Sequence, residues 1–168
     1  MKRIKLTRGK HTIVDDDDFE RLSKHKWQAV KGGKKLISWR ACRSETVNGK
    51  KKHIPMSNEI MPPQKGFVVD HKNNDSLDNR KENLRFATLS QNQHNKRKQT
   101  GNHRFKGIYF NKRYKIYSAS INFNYKARHI GYYKTDVEAA KAYDVVAKEL
   151  FGEFANLNFK ALAEGEKP

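Results

Sequence analysis

Residues 67–95, FVVDHKNNDSLDNRKENLRFATLSQNQHN, decide how the first part of this chain folds. A short apolar strand is predicted to run straight into Asp70-His71, and a polar loop rich in Asn and Asp follows it. A second short strand is predicted at Leu84 to Ala87. Thr88-Leu89-Ser90-Gln91 then matches a capping box, which predicts the start of a helix. The expected order is therefore strand, loop, strand, helix.

The pair Asp70-His71 is the first candidate for chemistry. Successive side chains of a strand point to opposite sides, so one residue can hold a metal ion while the other addresses water. Hydrolysis of a phosphodiester needs such a base, a cation that neutralises charge, and groups that hold both. An isolated Asp-His pair is weak evidence, because it occurs often by chance. Its spacing adds weight: Asn83 lies twelve residues beyond His71, and Asn92 lies nine beyond Asn83.

On these residues, Val68 to Asn95 resembles the HNH endonucleases, particularly the phage and intron-encoded subgroup whose last motif residue is Asn. The resemblance implies a ββα-metal nuclease module in which His71 is the general base. It also implies that Asp70 and the side-chain oxygen of Asn92 hold one divalent ion, and that Asn83 braces the loop and orients His71. Oxygen ligands suit Mg²⁺ or Mn²⁺ and not zinc, in agreement with the absence of any CxxC motif.

Three polar residues near the motif are expected to lie outside this chemistry. Relatives often carry His where Ser57 stands, a departure that counts against an auxiliary phosphate contact at this position. His53 could substitute for it, but beside Lys51 and Lys52 it is better interpreted as basic surface. Asn79 is predicted to stabilise the loop by local bonding to the backbone.

Further elements are predicted ahead of the motif. Lys2 to Thr7 is expected to form a strand, and Asp15 to Asp18 are expected to cap a short helix. Four consecutive carboxylates could also suggest a metal cluster, but before a helix they more often complement its dipole. Asn48-Gly49 is typical of a type I′ turn and predicts a hairpin between Leu36–Val47 and His53–Met56, with Trp39 and Ala41 on one face.

The charge of the chain points to a polyanionic partner. Lys and Arg outnumber Asp and Glu 36 to 18, which gives a formal charge of +18. Residues 83–135 contain no Asp or Glu at all. A stretch of one sign this long fits a phosphate backbone better than a solvated face. Its basic residues are Arg85, Lys96, Arg97, Lys98, Arg104, Lys106, Lys112, Arg113, Lys115, Lys126, Arg128 and Lys134.

Aromatic residues interleaved with these charges predict a folded second module. Tyr117 to Phe123 alternate as a half-buried strand should, and flanking strands near 107–110 and 128–133 would complete a three-stranded sheet. Thr135-Asp136-Val137-Glu138 is a second capping box, and the helix that it opens should end at Gly152. One amphipathic helix laid across the sheet would bury a single core and leave the other face of the sheet open.

The second module, Phe105 to Phe159, resembles the APETALA2-type DNA-binding domain. The residues that carry the resemblance are Phe105-Lys106-Gly107, Ile130-Gly131-Tyr132-Tyr133, Glu138-Ala139-Ala140, Ala142-Tyr143-Asp144, Gly152 and Ala155-Asn156-Leu157-Asn158-Phe159. Members of that family lay the sheet in the major groove of DNA. The resemblance and the charge together give as DNA-contact candidates Arg97, Lys98, Arg104, Lys106, Tyr109, Arg113, Arg128 and His129.

These candidates are not equivalent. For Lys106 a phosphate contact is the expected role, because Lys lacks the planar fork that Arg offers to guanine. For Tyr109 and His129, core packing and DNA contact are equally open. Tyr117, Phe123 and Tyr143 are expected to pack in the core.

The predicted organisation is α+β. It comprises a nuclease domain at 1–98 with its core motif at 67–97, a linker at 99–104, an APETALA2-like domain at 105–160, and a tail at 161–168. In this organisation a ββα-metal module precedes a three-stranded antiparallel sheet packed on one helix.

The leading functional hypothesis is a metal-dependent DNA endonuclease of the homing or phage-encoded kind, with one Mg²⁺ or Mn²⁺ ion per site. The alternatives are a non-catalytic DNA-binding regulator with a decayed nuclease module, and an RNA-binding protein. The expected partner is double-stranded DNA, and the protein is expected to be a monomer or weak dimer. A single cysteine, Cys42, and the lack of a signal peptide or long apolar run favour action in the cytoplasm, on phage or bacterial DNA in the host cell, away from membranes.

Overall fold

The computed structural model describes residues 1–32, 38–95, 104–124 and 126–159. The chain divides into two compact units, Met1–Asn92 and Gln93–Pro168. The predictions for Leu36, Arg97, Lys98, the linker up to residue 103 and the tail at 161–168 lie outside the described residues. No helix among those described is long and apolar enough to cross a membrane.

The first unit opens with a two-stranded antiparallel sheet of β1 (Lys2–Lys5) and β2 (His11–Val14), followed by α1 (Asp16–Ser23). A three-stranded sheet follows, formed by β3 (Gln28–Gly32), β4 (Ser38–Val47) and β5 (Lys50–Pro55) in the order β3-β4-β5. The sequence did not predict β3. The core of the unit consists of Ile4, Leu6, Val14, Leu22, Trp27, Ala29, Ala41 and Met56.

The hairpin of β4 and β5 confirms the prediction made for Asn48-Gly49. Both residues have positive φ, 51° and 72°, as a type I′ turn requires. Ala41 is buried in the core and Trp39 packs against it from the same face, as expected. The short helix α2 (Met56–Ile60) begins where β5 ends.

The quoted stretch has the predicted order of elements. β6 (Val68–His71) pairs with β7 (Leu84–Ala87), with a 3₁₀ turn at Lys81–Asn83 just before β7. The helix α3 (Leu89–Asn95) follows at once. Thr88 Oγ1 accepts from the Gln91 N–H, and Gln91 Oε1 accepts from the Thr88 N–H, so the predicted capping box is present.

The acidic run at α1 has only part of the role predicted: Asp16, Asp17 and Asp18 lie in the first turn of α1, where they complement its dipole, but the side-chain cap is absent. Asp15 occupies the N-cap position of α1, but its side chain makes no capping bond there. Its carboxylate accepts instead from the backbone N–H of Lys81, at 2.7 Å. The Lys81 ammonium pairs with Asp17 and, at 3.2 Å, with Asp18. Asp15, Asp17 and Asp18 therefore attach α1 to the 3₁₀ turn, and Lys81 offsets part of the negative charge of the cluster that could have suggested a metal.

The second unit contains the predicted sheet and helix. β8 (Ile108–Asn111), β9 (Ile116–Phe123) and β10 (Lys126–Tyr133) form an antiparallel sheet in the order β10-β9-β8. The helix α4 (Asp136–Phe151) begins with a complete capping box at Thr135. The buried core of the second unit comprises Phe105, Ile108, Ala119, Ile121, Ala139, Ala140, Tyr143 and Ala147.

Two predictions about this core had different outcomes. Tyr143 is buried and Tyr117 packs against the core, as expected. For Phe123 the prediction was wrong: its side chain is 37 % exposed, because it is the last residue of β9 and the buried cluster ends at Ile121.

Candidate active site

Asp70 and His71 are both buried at the end of β6, and Asp70 is held by an ion pair. The Nε and Nη2 atoms of Arg85 each lie 3.0 Å from Asp70 Oδ2. Register explains the pairing: Asp70 and Arg85 lie directly opposite each other on β6 and β7, where cross-strand side chains meet. A carboxylate has two oxygens and about four lone-pair sites, so the contact with Arg85 is compatible with a cation ligand at the same group.

His71 lies within hydrogen-bonding distance of the amide of Asn79. His71 Nε2 and Asn79 Oδ1 are 3.2 Å apart, and both residues are buried. Burial lowers the pKa of His71 below its usual range, and this effect outweighs the opposing influence of Asn79 and of the nearby carboxylate of Asp70. The imidazole is therefore neutral near pH 7, which is the state that a general base needs.

Asn83 braces the loop between the two strands. Its Oδ1 accepts from the backbone N–H of Asn73 at 3.1 Å, and its Nδ2 donates to the carbonyl of Asp78 at 2.7 Å. Its own carbonyl accepts from the Lys72 N–H at 2.9 Å, directly beside His71. These bonds span the loop from one side to the other, so Asn83 helps to fix its shape.

An acidic and basic pair adds to the rigidity of the loop. Asp78 is buried, and its two carboxylate oxygens accept from the Arg80 guanidinium at 2.8 and 2.7 Å. Asn73 donates a further bond to Asp78 at 2.9 Å. The hydrogen bond from Arg80 holds the pKa of Asp78 below its usual value. Asp78 is therefore ionised near neutral pH and keeps these contacts.

Asn79 is the site residue whose role the sequence did not reveal. It was predicted to bond to nearby backbone, but its side chain bonds to His71 and, through Nδ2 at 2.8 Å, to Thr12 Oγ1. Thr12 belongs to β2, which is 67 positions earlier in the chain. The local prediction failed because the partner comes from a distant strand. The sequence does contain a run of polar residues in the loop, but nothing in it indicates Thr12.

Asn92, the last predicted ligand, lies in α3 and is partly buried. Its backbone N–H donates to the Thr88 carbonyl at 3.0 Å, so it belongs to the first turn after the capping box. Ser57 is buried in α2, whereas His53 is exposed on β5, where its Nδ1 lies 3.3 Å from Ser44 Oγ. His53 thus lies on the surface, as expected.

In the second unit, three of the DNA-contact candidates lie on opposite faces of the sheet. Tyr109 pairs with Ser118, and Ser118 Oγ lies 3.5 Å from His129 Nδ1, so Tyr109 and His129 share a face. Arg128 pairs with Ile121, which is buried against α4. Because paired residues share a face, Arg128 leaves the sheet on the helix side while Tyr109 and His129 lie on the open side.

The other candidates of this unit differ in exposure. Arg104 and Arg113 are exposed, and their guanidinium groups lie 5.0 and 5.4 Å from the ring centres of Phe105 and Tyr114. Lys106 is largely buried, and its ammonium donates to the His94 carbonyl at 2.9 Å. Burial lowers the pKa of Lys106 to about 8.

Comparison with known proteins agrees with the geometry of the first unit. Residues 62–94 match the family described as HNH endonuclease. The chain is also 33 % identical over 162 residues to a protein of Acanthamoeba polyphaga mimivirus named as an uncharacterized HNH endonuclease. That similarity covers 91 % of this chain and 78 % of the viral protein. The matched residues include the buried pair Asp70-His71, the two strands β6 and β7, and most of α3. The chain belongs to the HNH endonuclease family.

Proposed function

We propose that this protein is a metal-dependent endonuclease that hydrolyses phosphodiester bonds of double-stranded DNA. The observation that carries the proposal is the buried pair Asp70-His71, with a neutral imidazole beside an ionic carboxylate. Neighbouring strand residues of this kind give one group for a cation and one for water. Membership of the HNH family supports the same reaction class.

Each residue of the proposed site has a separate task. His71 takes a proton from the attacking water, and Asn83 keeps the loop in the shape that presents His71. Asp70 and the side-chain oxygen of Asn92 would hold one Mg²⁺ or Mn²⁺ ion, whose charge would stabilise the negative charge on the phosphate and leaving oxygen. The donor set fits such an ion, since it consists of a carboxylate and an amide oxygen without a thiolate.

The basic second unit is proposed as the part that grips DNA, in the manner of the APETALA2-like domain that it resembles. Its exposed cations include Arg104 and Arg113, and Tyr109 and His129 lie on the open face of its sheet. Arg128 lies on the helix side of the sheet and is not part of that face. A nuclease with such a grip would act at selected sites, as homing and phage-encoded enzymes do. The proposed setting is phage or bacterial DNA inside the host cell.

The first prediction tests the reaction itself. Purified protein should nick or linearise supercoiled plasmid with Mg²⁺ and leave it intact with EDTA. His71→Ala should lower the cleavage rate by roughly 10² to 10⁴-fold, because a positioned base contributes about that much. Binding of the same DNA in EDTA should stay within about twofold of wild type, since His71 is buried and contributes no charge near pH 7.

The matched control is His53→Ala, which removes an exposed imidazole from the same unit and should cut like wild type. Wild-type cleavage by His71→Ala would remove this residue from the mechanism. A wild-type protein that binds DNA but never cuts it would instead favour the non-catalytic regulator. Tighter binding to RNA than to duplex DNA, without cleavage, would favour an RNA-binding protein.

A further inference from the structure

Thr12 connects the N-terminal sheet to the loop of the nuclease motif. It is completely buried, and its hydroxyl donates to the Leu77 carbonyl at 2.7 Å. The backbone repeats the connection, since the Ile13 N–H donates to the same carbonyl at 2.9 Å and the Asn79 N–H donates to the Ile13 carbonyl at 2.8 Å. β2 and the loop are thus joined by three bonds around one buried hydroxyl.

The connection continues to the proposed base. Asn79 Nδ2 donates to Thr12 Oγ1 at 2.8 Å, and Asn79 Oδ1 faces His71 Nε2 at 3.2 Å. Relative exposures of 0 % for Thr12, 2 % for Asn79 and 9 % for His71 leave little room for water to replace any partner. In such an environment every donor needs an acceptor, because a buried polar group without a hydrogen bond loses its interaction with water and gains nothing in return.

The single hydrogen of the Thr12 hydroxyl fixes the orientation of the Asn79 amide. A threonine hydroxyl has one hydrogen, and that of Thr12 is directed to Leu77 O, with the Met56 sulfur at 3.9 Å as the weaker alternative. Toward Asn79 the hydroxyl can therefore only accept. The Asn79 atom that faces Thr12 must then be the NH₂ group, and the atom that faces His71 must be the carbonyl oxygen.

The orientation of the amide in turn fixes the tautomer of the imidazole. A carbonyl oxygen opposite Nε2 requires hydrogen on Nε2, and a neutral ring with hydrogen on Nε2 has its lone pair on Nδ1. We propose that Thr12 is a positioning residue for the reaction: through Asn79 it holds His71 in the Nε2–H tautomer and so assigns proton abstraction from water to Nδ1. This inference rests on the proposed function, because it takes His71 to be the base.

Substitutions at Thr12 distinguish the effect of its hydroxyl from the effect of its branched shape. Thr12→Val keeps the branched shape but removes the acceptor of Asn79 Nδ2, so the amide can turn over and present its NH₂ group to His71. That amide would favour hydrogen on Nδ1, the atom assigned to receive the proton. Thr12→Ser keeps the hydroxyl and is the conservative rescue variant.

The tautomer can be measured directly in the metal-free protein. Long-range ¹H–¹⁵N correlation spectra at mildly alkaline pH distinguish the two neutral forms of an imidazole, and the His71 signals are identified by their absence in His71→Ala. Wild type and Thr12→Ser should show the Nε2–H form. Thr12→Val should show loss of that form or a mixture of the two. Hydrogen on Nδ1 in the wild type would overturn the proposal, even if Thr12→Val does not fold.

Kinetics give the second readout. The single-turnover cleavage rate of Thr12→Val should fall by about 10 to 100-fold, as is usual for a partner that orients an active-site group. Its affinity for DNA should stay within about twofold, and Thr12→Ser should cut within a few fold of wild type. Folding is checked by denaturation at the emission of Trp27 and Trp39, the two tryptophans of the chain. A folded Thr12→Val protein with the wild-type tautomer and rate would refute the role of Thr12.

The two failures are distinguishable. A wild-type protein that cuts no DNA but shows the Nε2–H tautomer, lost in Thr12→Val, would refute the proposed function and leave the hydrogen-bond chain intact. Normal cleavage by a wild-type protein with hydrogen on Nδ1 of His71 would leave the proposed function intact and refute the role of Thr12.

Discussion

Asp70 forms an ion pair with Arg85 and, in the proposed reaction, also binds a metal ion. Both side chains of the ion pair are more than nine-tenths buried. Removal of one partner from such a pair typically costs about 3–5 kcal/mol, because the other charge is left buried and uncompensated. Asp70→Ala would therefore mix a loss of metal binding with a loss of stability. Asp70→Asn is the cleaner change, because the amide oxygen can still accept from Arg85.

The second prediction concerns the two proposed metal ligands, Asp70 and Asn92. Asp70→Asn and Asn92→Ala should each raise the Mg²⁺ concentration needed for half-maximal cleavage and lower the rate by about 10 to 100-fold. Both changes weaken the coordination of the ion, and higher Mn²⁺ should recover part of the loss in Asp70→Asn. Metal titrations by calorimetry and by cleavage assay provide the measurement. The control is Gln93→Ala, the exposed neighbour of Asn92 on α3. Wild-type metal binding and cleavage by Asn92→Ala would show that this residue is not a ligand.

The third prediction follows from the lowered pKa of Lys106. Its pKa is about 8 in the folded protein, against the usual 10.5, because burial disfavours the ammonium more than Asp144 favours it. Between pH 8 and 10.5 the unfolded chain then binds more protons than the folded one, so the free energy of unfolding rises with pH through this window. Below about pH 8 both states are charged at Lys106, and this contribution no longer changes with pH.

Lys106→Met should flatten that rise. Unfolding of the second unit can be followed by tyrosine emission, since all seven tyrosines lie between Tyr109 and Tyr143. Urea denaturation at several pH values from about 7 to 9.5 should show a smaller increase of stability for Lys106→Met than for wild type. Lys112→Met, which removes an exposed lysine of the same unit, should keep the wild-type slope. Parallel slopes for all three proteins would contradict an effect of burial on Lys106.

Among the elements, the join between β8 and α4 depends on a glycine. Gly107 has a φ of +76°, and a Cβ placed on it would lie 2.3 Å from Tyr143 Cε2 and 2.6 Å from the Ser120 carbonyl oxygen. Ser120 also donates its N–H to the Gly107 carbonyl at 2.9 Å, so the backbone on that side is fixed. Even a methyl group therefore requires the helix or the sheet to move.

The fourth prediction compares two glycine substitutions. Gly152→Ala is strained by its φ of +53° but meets no atom within 4 Å, so it should cost about 1–3 kcal/mol. Gly107→Ala has the same kind of strain plus overpacking, and should cost roughly 2–6 kcal/mol. Urea denaturation followed by tyrosine emission measures both, and the tryptophan transition of the first unit should not shift in either variant. Equal costs would show that the space around Gly107 adapts.

These elements show which features the sequence could predict. The turn at Asn48-Gly49 and the capping boxes at Thr88 and Thr135 depend on residues within three positions, and all three were predicted correctly. β3 was missed because QAVKG is short and shows little alternation of apolar and polar residues, although the Gly-Gly dipeptide at 32–33 is a turn signal. Its strand character comes from pairing with β4, a contact made only after folding.

The candidate site divides in the same way. The sequence placed Asp70 and His71 at the end of a strand and Asn92 at the start of a helix, because those positions follow from local pattern. The contact between Asn79 and Thr12 could not be predicted, since it requires β2 to lie against the loop. Lys106 was predicted to contact a DNA phosphate, from its charge and from the APETALA2 resemblance. Its burial depends on the carbonyl of His94 and on the packing around it.

Each unit of the molecule has its own buried core, and the positive charge is unevenly distributed along the chain. The turn between β8 and β9 contains Lys112 and Arg113, both exposed, within the stretch that has no carboxylate. On α4 of the same unit, Lys141 and Lys148 are also exposed but lie among residues that include Glu138 and Glu149. If the second unit grips DNA through its acid-free stretch, the two pairs of cations should differ in their contribution to DNA binding, although their charge is equal.

The fifth prediction uses that comparison in the full-length protein. Each phosphate neutralised contributes about −0.9 to the slope of log K against log salt, so Lys112→Gln with Arg113→Gln should reduce the magnitude of the slope by up to roughly 1.8 and weaken binding at low salt. Lys141→Gln with Lys148→Gln should leave the slope nearly unchanged. Fluorescence anisotropy with labelled duplex DNA in EDTA, at several salt concentrations, measures both without cleavage. Because the two double variants lose the same net charge, general attraction to a polyanion would weaken them equally. An equal loss would therefore mean that the second unit adds charge to the protein without contacting DNA through this turn.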